Sequence, residues 1–252
     1  MSPSSPLSIP NLLCFWDFQE PAGAPRVSQG PQRYALREMA GPVERVSGGV
    51  FGPYAARLKQ GQWFNLPRAE CPALNLHGAN AQVSVVAWIQ RAQKDHMQCE
   101  AVAGIWNESA KLRQYCLFLN LGLDQSRHQA CGHISAVGGP TPGEKFCVDA
   151  AIGATQVEFD AWHCVAFTYD GANIKAYLDG RLDARGARNP YVYPHGIFDG
   201  GEHGADFTVG AVHRSGEMGN WFTGTLGGLA IFNRALTGDE LATASRTNIP
   251  PS

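Results

Sequence analysis

The 252-residue sequence predicts an all-β protein in which two antiparallel sheets pack as a sandwich, followed by one short C-terminal helix. Two runs of alternating apolar and polar residues lie on either side of Asp170-Gly171, which is the pattern of a β-hairpin. The chain contains 29 Gly and 16 Pro with 17% charged residues, a composition that suits short strands joined by tight turns. Gly-rich breaks separate ten strand-like runs in all.

The hairpin is the clearest element, because its side chains alternate with a period of two, which excludes a helix. The two expected faces of its first strand are Val165, Phe167 and Tyr169 against Cys164, Ala166 and Thr168. Those of its second strand are Ile174, Ala176 and Leu178 against Lys175, Tyr177 and Asp179.

In chain order, the predicted strands cover residues 12–18, 57–64, 82–90, 100–106, 113–120, 133–137, 162–169, 173–178, 206–212 and 225–232. Antiparallel strands of this number fit two facing sheets. The only predicted helix follows the last strand, with Thr237 as its N-cap, Asp239 and Glu240 in its first turn and Pro250 beyond its end.

The segment from Asp160 to Gly180 resembles the signature hairpin of the laminin-G-like, or concanavalin A-like, jelly-roll family. Members of that family show a Trp, a Val-Ala-Phe-Thr-Tyr-Asp-Gly strand and a following strand that ends in Asp-Gly. Residues 207–210 and 221–241 are similar to the family's closing strand and tail helix, most specifically at Asn233-Arg234-Ala235-Leu236-Thr237. Residues 14–18 resemble the opening strand, whereas residues 91–158 match poorly. The resemblance implies a jelly roll with its ligand site on the concave sheet.

Two departures from the family bear on calcium, which many relatives bind. Where those relatives have an Asp-Glu pair in the closing strand, this chain has Gly227-Gly228, and where they have an Asp-Ser-Ser-Gly-like turn, it has residues 26–30 beginning with Arg26. Glycine has no carboxylate and arginine repels a cation, while calcium needs six to eight oxygen ligands. The sequence therefore argues against the calcium site, and we expect no cofactor.

We expect residues 1–10 to be a flexible leader and residues 11–252 to be one domain, because no linker, repeat or charge run divides the chain.

The formal net charge is −2, so no basic surface is expected to hold nucleic acid. No segment is long and apolar enough to span a bilayer, and residues 1–10 lack the features of an export signal. These observations predict no membrane partner and a cytoplasmic protein, or a secreted one if a signal has been removed.

The seven cysteines favour free thiols in a reducing compartment, since their number is odd and Cys116 and Cys164 lie inside strand-like runs. The alternative is that Cys99, Cys131 and Cys147 belong to a disulfide-rich insertion.

Two long segments, 91–113 and 181–204, flank the expected ligand site, and long loops in compact domains are often functional. Sugars are held by aromatic faces and by polar groups that bind hydroxyls or carboxylates. The candidate ligand-binding residues of this type are Trp106, Arg188, Asn189, Tyr191, Tyr193, His195, Arg214 and Trp221. The alternative for 191–194 is an ordered loop that packs on the edge of the core.

A catalytic alternative rests on Arg113 and Tyr115, which simple alternation places on the same face of a strand. Arg113 would bind a carboxylate and Tyr115 would exchange a proton, as in β-elimination by a uronate lyase. His133, His213 and Lys145 are further groups of suitable chemistry, although each could be an ordinary strand-end residue.

Other catalytic and metal patterns are absent from the sequence or weak in it. No pair of closely spaced carboxylates on one strand face is present for a two-carboxylate glycosidase. Asp199, Glu202, His203 and Asp206 could bind a metal, but acidic loop residues are more often only solvated, so we predict no metal site.

The leading hypothesis is therefore a carbohydrate-binding, lectin-like domain that recognises an oligosaccharide or polysaccharide. The second hypothesis is a polysaccharide lyase or another sugar-processing enzyme that uses Tyr115 or Tyr191 with Arg113 and a histidine. A protein–protein adhesion module is the third. Sandwich edges and faces often pair, so the predicted fold is compatible with a homodimer, but the sequence does not decide the oligomeric state.

Overall fold

The computed structural model describes residues 5–94 and 98–246. Within these residues it contains nineteen strands in two facing sheets and one α-helix. All neighbouring strands pair antiparallel except for one parallel contact, between His213 and Asn107. The expected all-β sandwich with a C-terminal helix is confirmed.

Strands are numbered in chain order. Sheet 1 has the spatial order β14 (Arg181–Leu182), β13 (Asn173–Leu178), β12 (Trp162–Tyr169), β7 (Val83–Arg91), β19 (Gly224–Phe232), β5 (Tyr54–Leu58) and β4 (Glu44–Ser47), with β1 (Leu12–Trp16) on β19 and β15 (Tyr191–Val192) on β13. Sheet 2 has the order β11 (Ala150–Gln156), β10 (Gln129–Ile134), β9 (Leu112–Leu119), β8 (Glu100–Asn107), β16 (Phe207–Val209), β6 (Trp63–Leu66), β3 (Ala35–Met39) and β2 (Arg26–Val27). A hairpin of β17 (Val212–Arg214) and β18 (Glu217–Gly219) lies beside the end of β8.

The main core fills the space between the sheets. Side chains such as Val85 and Phe167 from sheet 1 meet Ile105, Leu117 and Phe207 from sheet 2. Because successive side chains of a strand point to opposite faces, these residues also identify which positions of each strand face outward.

The outer face of each sheet carries its own smaller apolar cluster. On sheet 1, helix α1 (Gly238–Ser245) places Leu241 and Ala244 over Trp88 and Cys164, and Ile9 joins the same cluster. On sheet 2, the outer cluster contains Trp106, Cys116, Phe118, Cys131, Cys147, Ala150, Ile152 and Val212.

Helix α1 forms as predicted. The Thr237 side chain accepts a hydrogen bond from the Glu240 N–H, and the Glu240 carboxylate accepts one from the Thr237 N–H, which completes a capping box. Pro250 lies outside the described residues.

Most predicted strands are confirmed within a few residues, but three are not. The single strand predicted over 57–64 is wrong, because β5 ends at Leu58 in sheet 1 and β6 begins at Trp63 in sheet 2, with Gly61 in the left-handed region between them. The strand predicted over 206–212 is interrupted at Gly210, whose φ is +89°. β10 begins at Gln129 rather than at His133. The sequence analysis missed β2, β3, β4, β11, β14, β15 and β18.

All seven cysteines are free, so none forms a disulfide. No helix among residues 5–94 and 98–246 is long and apolar enough to cross a membrane.

Candidate functional site

A β-bulge between β8 and β9 decides which side chains reach the outer face of sheet 2. Ile105 pairs with Tyr115, but Trp106 pairs with Arg113, so Gln114 is the extra residue of the bulge. Arg113 therefore shares the outer side with Trp106, whereas Tyr115 points into the main core. Simple alternation, which places Arg113 and Tyr115 on one face, does not hold here.

The bulge is held by hydrogen bonds on its inner side. Tyr115 Oη donates to the Leu74 carbonyl at 2.9 Å, and the Gln114 side chain donates to the Phe198 carbonyl at 2.7 Å. Gln114 Oε1 accepts a bond of 2.6 Å from Arg68. These bonds fix the bulge and thereby the outward direction of Arg113.

On the outer side lies a pocket of about 310 Å³, called here the aromatic pocket. Three rings form its floor: the centroid of Trp106 is 5.6 Å from that of Phe118 and 4.8 Å from that of His133, and Phe118 and His133 are 5.6 Å apart. Trp106 is only 2% exposed, so its ring is a floor rather than a free stacking surface.

The rim of the aromatic pocket is more exposed than its floor. Phe146 is 60% exposed and lines the opening together with the partly buried Leu121 and Leu123. An exposed phenyl ring at the mouth of a pocket offers a face for the C–H surface of a ligand.

Two guanidinium groups line the aromatic pocket. Arg113 Nη1 donates to the Gly138 carbonyl at 3.2 Å, and its guanidinium carbon lies 5.8 Å from the centre of the Trp106 ring. Arg214 Nη1 donates to Asn220 Oδ1 at 2.7 Å. The buried Nε of Arg113 has no hydrogen-bond partner among the described residues.

Glu108 is the only carboxylate that lines the aromatic pocket among the described residues. Its Oε2 is 4.0 Å from Arg113 Nη2, and its Oε1 accepts a 3.3 Å bond from Trp106 Nε1. Two cations therefore face one anion.

His133 and Cys147 form a neutral pair at the base of the pocket. Cys147 Sγ is 3.8 Å from His133 Nδ1. Burial and the nearby Arg113 guanidinium lower the pKa of His133 to about 3, and burial raises the pKa of Cys147 to about 11. Both groups are uncharged near neutral pH, so the pair is not an activated thiolate.

The structure thus brings four of the sequence-predicted candidates into one pocket: Trp106, Arg113, His133 and Arg214. Tyr115 lies on the opposite side of sheet 2, between the sheets. His213 is exposed in β17, where its backbone pairs with Asn107, and it does not line the pocket.

The candidates from 188 to 195 lie outside the aromatic pocket and make intramolecular bonds. The Asn189 side chain is buried and bonds both the N–H and the carbonyl of Ala176. Arg188 pairs with Asp124 and donates to the Val148 carbonyl at 3.0 Å.

The aromatic members of this segment are also engaged. Tyr191 donates to Asp149 at 3.1 Å, and buried Tyr193 accepts the Ala136 N–H at 2.8 Å. His195 is exposed and lies edge-on to Tyr193, with ring centroids 5.0 Å apart. Residues 191–192 form the short strand β15, and the contacts of Tyr191 and Tyr193 hold this segment beside β13 of sheet 1.

Sequence reasoning missed Glu108, Phe118, Phe146 and Asn220. Phe146 could have been found, because a lone aromatic residue in the Gly- and Pro-rich loop 138–146 has no strand of its own to pack in. The others give no such signal, since nothing in their sequence neighbourhood shows which loop meets which strand.

A cavity larger than the aromatic pocket lies elsewhere, at the end of sheet 1 where β5, β7 and β19 meet. It measures about 600 Å³, and Arg57, Lys59, Gln90, Lys94 and Thr225 are among its lining residues. Among the part of the chain that the structure describes, none of the predicted site residues and no aromatic ring lines it. We therefore take the aromatic pocket as the candidate site.

The candidate metal ligands among the described residues do not form a metal site. No group of three His, Cys, Asp or Glu side chains among the described residues is arranged to hold one. Asp206 already accepts the Arg68 N–H at 2.8 Å, and Asp199 accepts the Gly201 N–H at 2.9 Å. At the position of the family's acidic pair, Gly227 and Gly228 lie against aromatic rings.

Comparison with known proteins supports the fold. Residues 61–242 match the family model described as the concanavalin A-like lectin/glucanases superfamily. No curated protein sequence matches the chain.

Solved structures with similar folds include three of different activity. Domain 4 of AbnA, a GH43 extracellular arabinanase from Geobacillus stearothermophilus, in complex with arabinotriose, has a TM-score of 0.58 and 16% identity over 94% of this chain and 98% of its own. The binding domain of botulinum neurotoxin serotype G has a TM-score of 0.62 and 10% identity over 93% of this chain and 50% of its own. Trypanosoma rangeli sialidase has a TM-score of 0.56 and 15% identity over 97% of this chain and 35% of its own.

This chain therefore spans nearly all of the arabinanase domain but only half of the toxin domain and about a third of the sialidase. At these identities the likeness shows a shared fold.

Proposed function

Because this chain belongs to the concanavalin A-like lectin/glucanases superfamily, we propose that it binds carbohydrate, as a lectin-like protein, in the aromatic pocket of sheet 2. The observation that carries the proposal is the joint presence of an aromatic floor, an exposed Phe146 and two guanidinium groups in one pocket. Sugars present an apolar C–H face and a rim of hydroxyls, which match these two kinds of group. The pocket volume lies at the lower end of small-ligand sites, which suits one sugar residue.

The charges favour an acidic sugar. Arg113 and Arg214 carry two positive charges against the single carboxylate of Glu108, and His133 adds none because its pKa is lowered to about 3. A guanidinium group binds a carboxylate with paired hydrogen bonds. We therefore expect uronic or sialic oligosaccharides to bind more tightly than neutral ones.

The geometry supports binding over the lyase hypothesis. A lyase would need a tyrosine near Arg113, but Tyr115 is bonded to Leu74 between the sheets, and no tyrosine lines the pocket among the described residues. His133, with a pKa of about 3, is a weak base at neutral pH.

An adhesion module is supported less well. The exposed large apolar side chains among the described residues are Leu7, Val27, Val137, Phe146, Leu182 and Val192, which come from separate parts of the chain. Residues of this number and spread are ordinary for a protein surface.

The test is ligand-observed NMR with neutral arabino-oligosaccharides, oligogalacturonates and sialyllactose on wild-type protein and Phe146→Ala. We expect Phe146→Ala to weaken binding roughly threefold to tenfold, because an aromatic contact contributes about 0.5–1.5 kcal/mol. Leu182→Ala is the matched control, since it truncates an exposed apolar side chain in sheet 1.

Line broadening that is reduced by Phe146→Ala but not by Leu182→Ala would support the proposal. Equal binding by all three proteins would place the sugar elsewhere and contradict it. New olefinic signals on overnight incubation would establish the lyase instead.

A further inference from the structure

The outer face of sheet 2 continues beyond the aromatic pocket across β16, β6, β3 and β2. Gly104 of β8 pairs with Thr208 of β16, which pairs with Asn65 of β6. Phe64 and Leu66 of β6 lie in the main core. Because side chains alternate along a strand, Trp63 and Asn65 point outward, on the same face as the pocket.

Trp63 pairs on this face with a second tryptophan, Trp221. The ring centroids are 5.6 Å apart, with an angle of 53° between the planes. Both side chains are partly exposed, whereas Trp16, Trp88 and Trp106 are almost completely buried. Neither Trp63 nor Trp221 belongs to any of the three apolar clusters of the described residues. The pair, called here the tryptophan platform, therefore contributes little to the core.

Polar groups border the platform. Arg37 lies opposite Asn65 on the neighbouring strand and pairs with Glu70 on the surface, while the apolar Met39 lies opposite Trp63. Asn65 donates its side-chain amide to Asp206 at 3.1 Å. Aromatic faces edged by amide and guanidinium groups are the combination that binds a sugar ring.

The platform is joined rigidly to the aromatic pocket. Asn220 lines the pocket and holds Arg214, and the next residue is Trp221. The Asn220 carbonyl accepts the Ala101 N–H at 2.7 Å, and Ala101 is in β8, the strand that also carries Trp106. Adjacent Cα atoms are about 3.8 Å apart, so the two surfaces are neighbours along the chain.

From this continuity we infer that the protein binds an extended glycan chain, with one sugar residue in the aromatic pocket and further residues on the tryptophan platform. The inference rests on the proposed carbohydrate binding and specifies its ligand class. A single sugar residue would fill the pocket alone, and only longer chains would reach Trp63 and Trp221.

The experiment measures calorimetric affinity along two series of increasing length, arabinose to arabinohexaose and galacturonic acid to hexagalacturonate. In the series that binds, we expect wild-type affinity to rise about tenfold from the shortest to the longest ligand. One added aromatic contact strengthens binding by up to about tenfold. Trp63→Ala should abolish this rise while leaving the affinity of the shortest ligand unchanged.

Trp162→Ala is the matched control, because Trp162 is also partly exposed but lies in β12 of sheet 1. A second readout that needs no destabilising variant is the set of six indole N–H signals in the NMR spectrum. The Trp63 and Trp221 signals should shift with the longest ligand and not with the shortest.

An affinity that is independent of length, or a rise that survives Trp63→Ala, would overturn the extended-chain inference. Either result would leave the proposed function intact, provided that Phe146→Ala still lowers the affinity for the shortest ligand. Loss of all binding in both series would overturn both.

Discussion

Burial and charge both act on His133, at the base of the aromatic pocket. It is 3% exposed, faces the Arg113 guanidinium and has its pKa lowered to about 3 from an ordinary value of 6.5. The folded protein thus holds a neutral imidazole where an unfolded chain would take up a proton in mild acid.

This shift predicts a pH-dependent loss of stability. The pKa of His133 is lower in the folded state than in the unfolded state. The stability that the neutral imidazole contributes is therefore present above pH 6.5 and is lost as the pH falls from 6.5 towards about 3. Relative to His133→Gln, which cannot titrate, the free energy of unfolding of the wild type should fall by up to about 1.4 kcal/mol per pH unit in this window. Urea denaturation at a series of pH values measures it.

The exposed His195 gives the matched control. For His195→Gln we expect curves parallel to those of the wild type, because this variant removes an exposed imidazole that lies outside the aromatic pocket. Parallel curves for His133→Gln as well would show that the imidazole is not held neutral.

At the scale of the element, β19 shows how one strand accommodates the layer that covers it. Its pairing with β7 slips between Leu226 and Gly228. A Cβ on Gly228 would lie 2.5 Å from the Phe51 ring and 3.0 Å from the Trp88 ring. The glycine therefore allows the aromatic rings to lie directly on the strand.

We predict that Gly228→Ala lowers the free energy of unfolding by about 1–3 kcal/mol, the usual cost of overpacking a tight core. Gly238→Ala is the control, because no atom lies within 4 Å of its added Cβ and the residue starts helix α1. Alanine there should be neutral or stabilising by up to about 1 kcal/mol. Equal unfolding midpoints in urea for Gly228→Ala and the wild type would refute the packing argument.

The length and alternation of each strand explain whether the sequence could predict it. Long strands with clear alternation, such as β7, β12, β13 and β19, were predicted within about a residue. The strands of two residues, β2, β14 and β15, are too short to show a period. The break between β5 and β6 falls on the polar run Lys59-Gln60-Gly61-Gln62, a turn signal that the prediction of one continuous strand passed over.

The candidate site was predictable in its residue types but not in its geometry. Trp106, Arg113, His133 and Arg214 were selected for their chemistry, and they share one pocket. The bulge at Gln114 separates Arg113 from Tyr115, and only the register with β8 reveals it. Phe146 lies in an aperiodic loop, where no strand pattern indicates a position.

At the scale of the whole molecule, the two outer faces are covered differently. Sheet 1 is covered over much of its outer face by Phe51, Val50 and helix α1. Sheet 2 keeps a pocket open beside its outer cluster, and Phe146 at its rim remains exposed. The helix that follows the last strand therefore leaves sheet 2 as the face available for the proposed ligand.

The seven free cysteines are spread over all three apolar clusters. If residues 11–252 form one domain, as we expect, the thiols of all three clusters should become accessible together on unfolding. Cys14 and Cys71 lie in the main core, Cys164 lies outside sheet 1, and Cys116, Cys131 and Cys147 lie outside sheet 2 with Cys99 against them. Burial raises the pKa of each thiol, so alkylation of the native protein should be slow.

We predict that pulsed alkylation across a urea gradient, read by mass spectrometry, converts unlabelled protein directly into protein with seven labels. A single cooperative unit exposes its core and both outer layers together. A pulse without urea is the control and should leave the buried thiols unmodified. Accumulation of protein labelled only at Cys99, Cys116, Cys131 and Cys147 would show that the outer layer of sheet 2 unfolds first, and that the sandwich is not one cooperative domain.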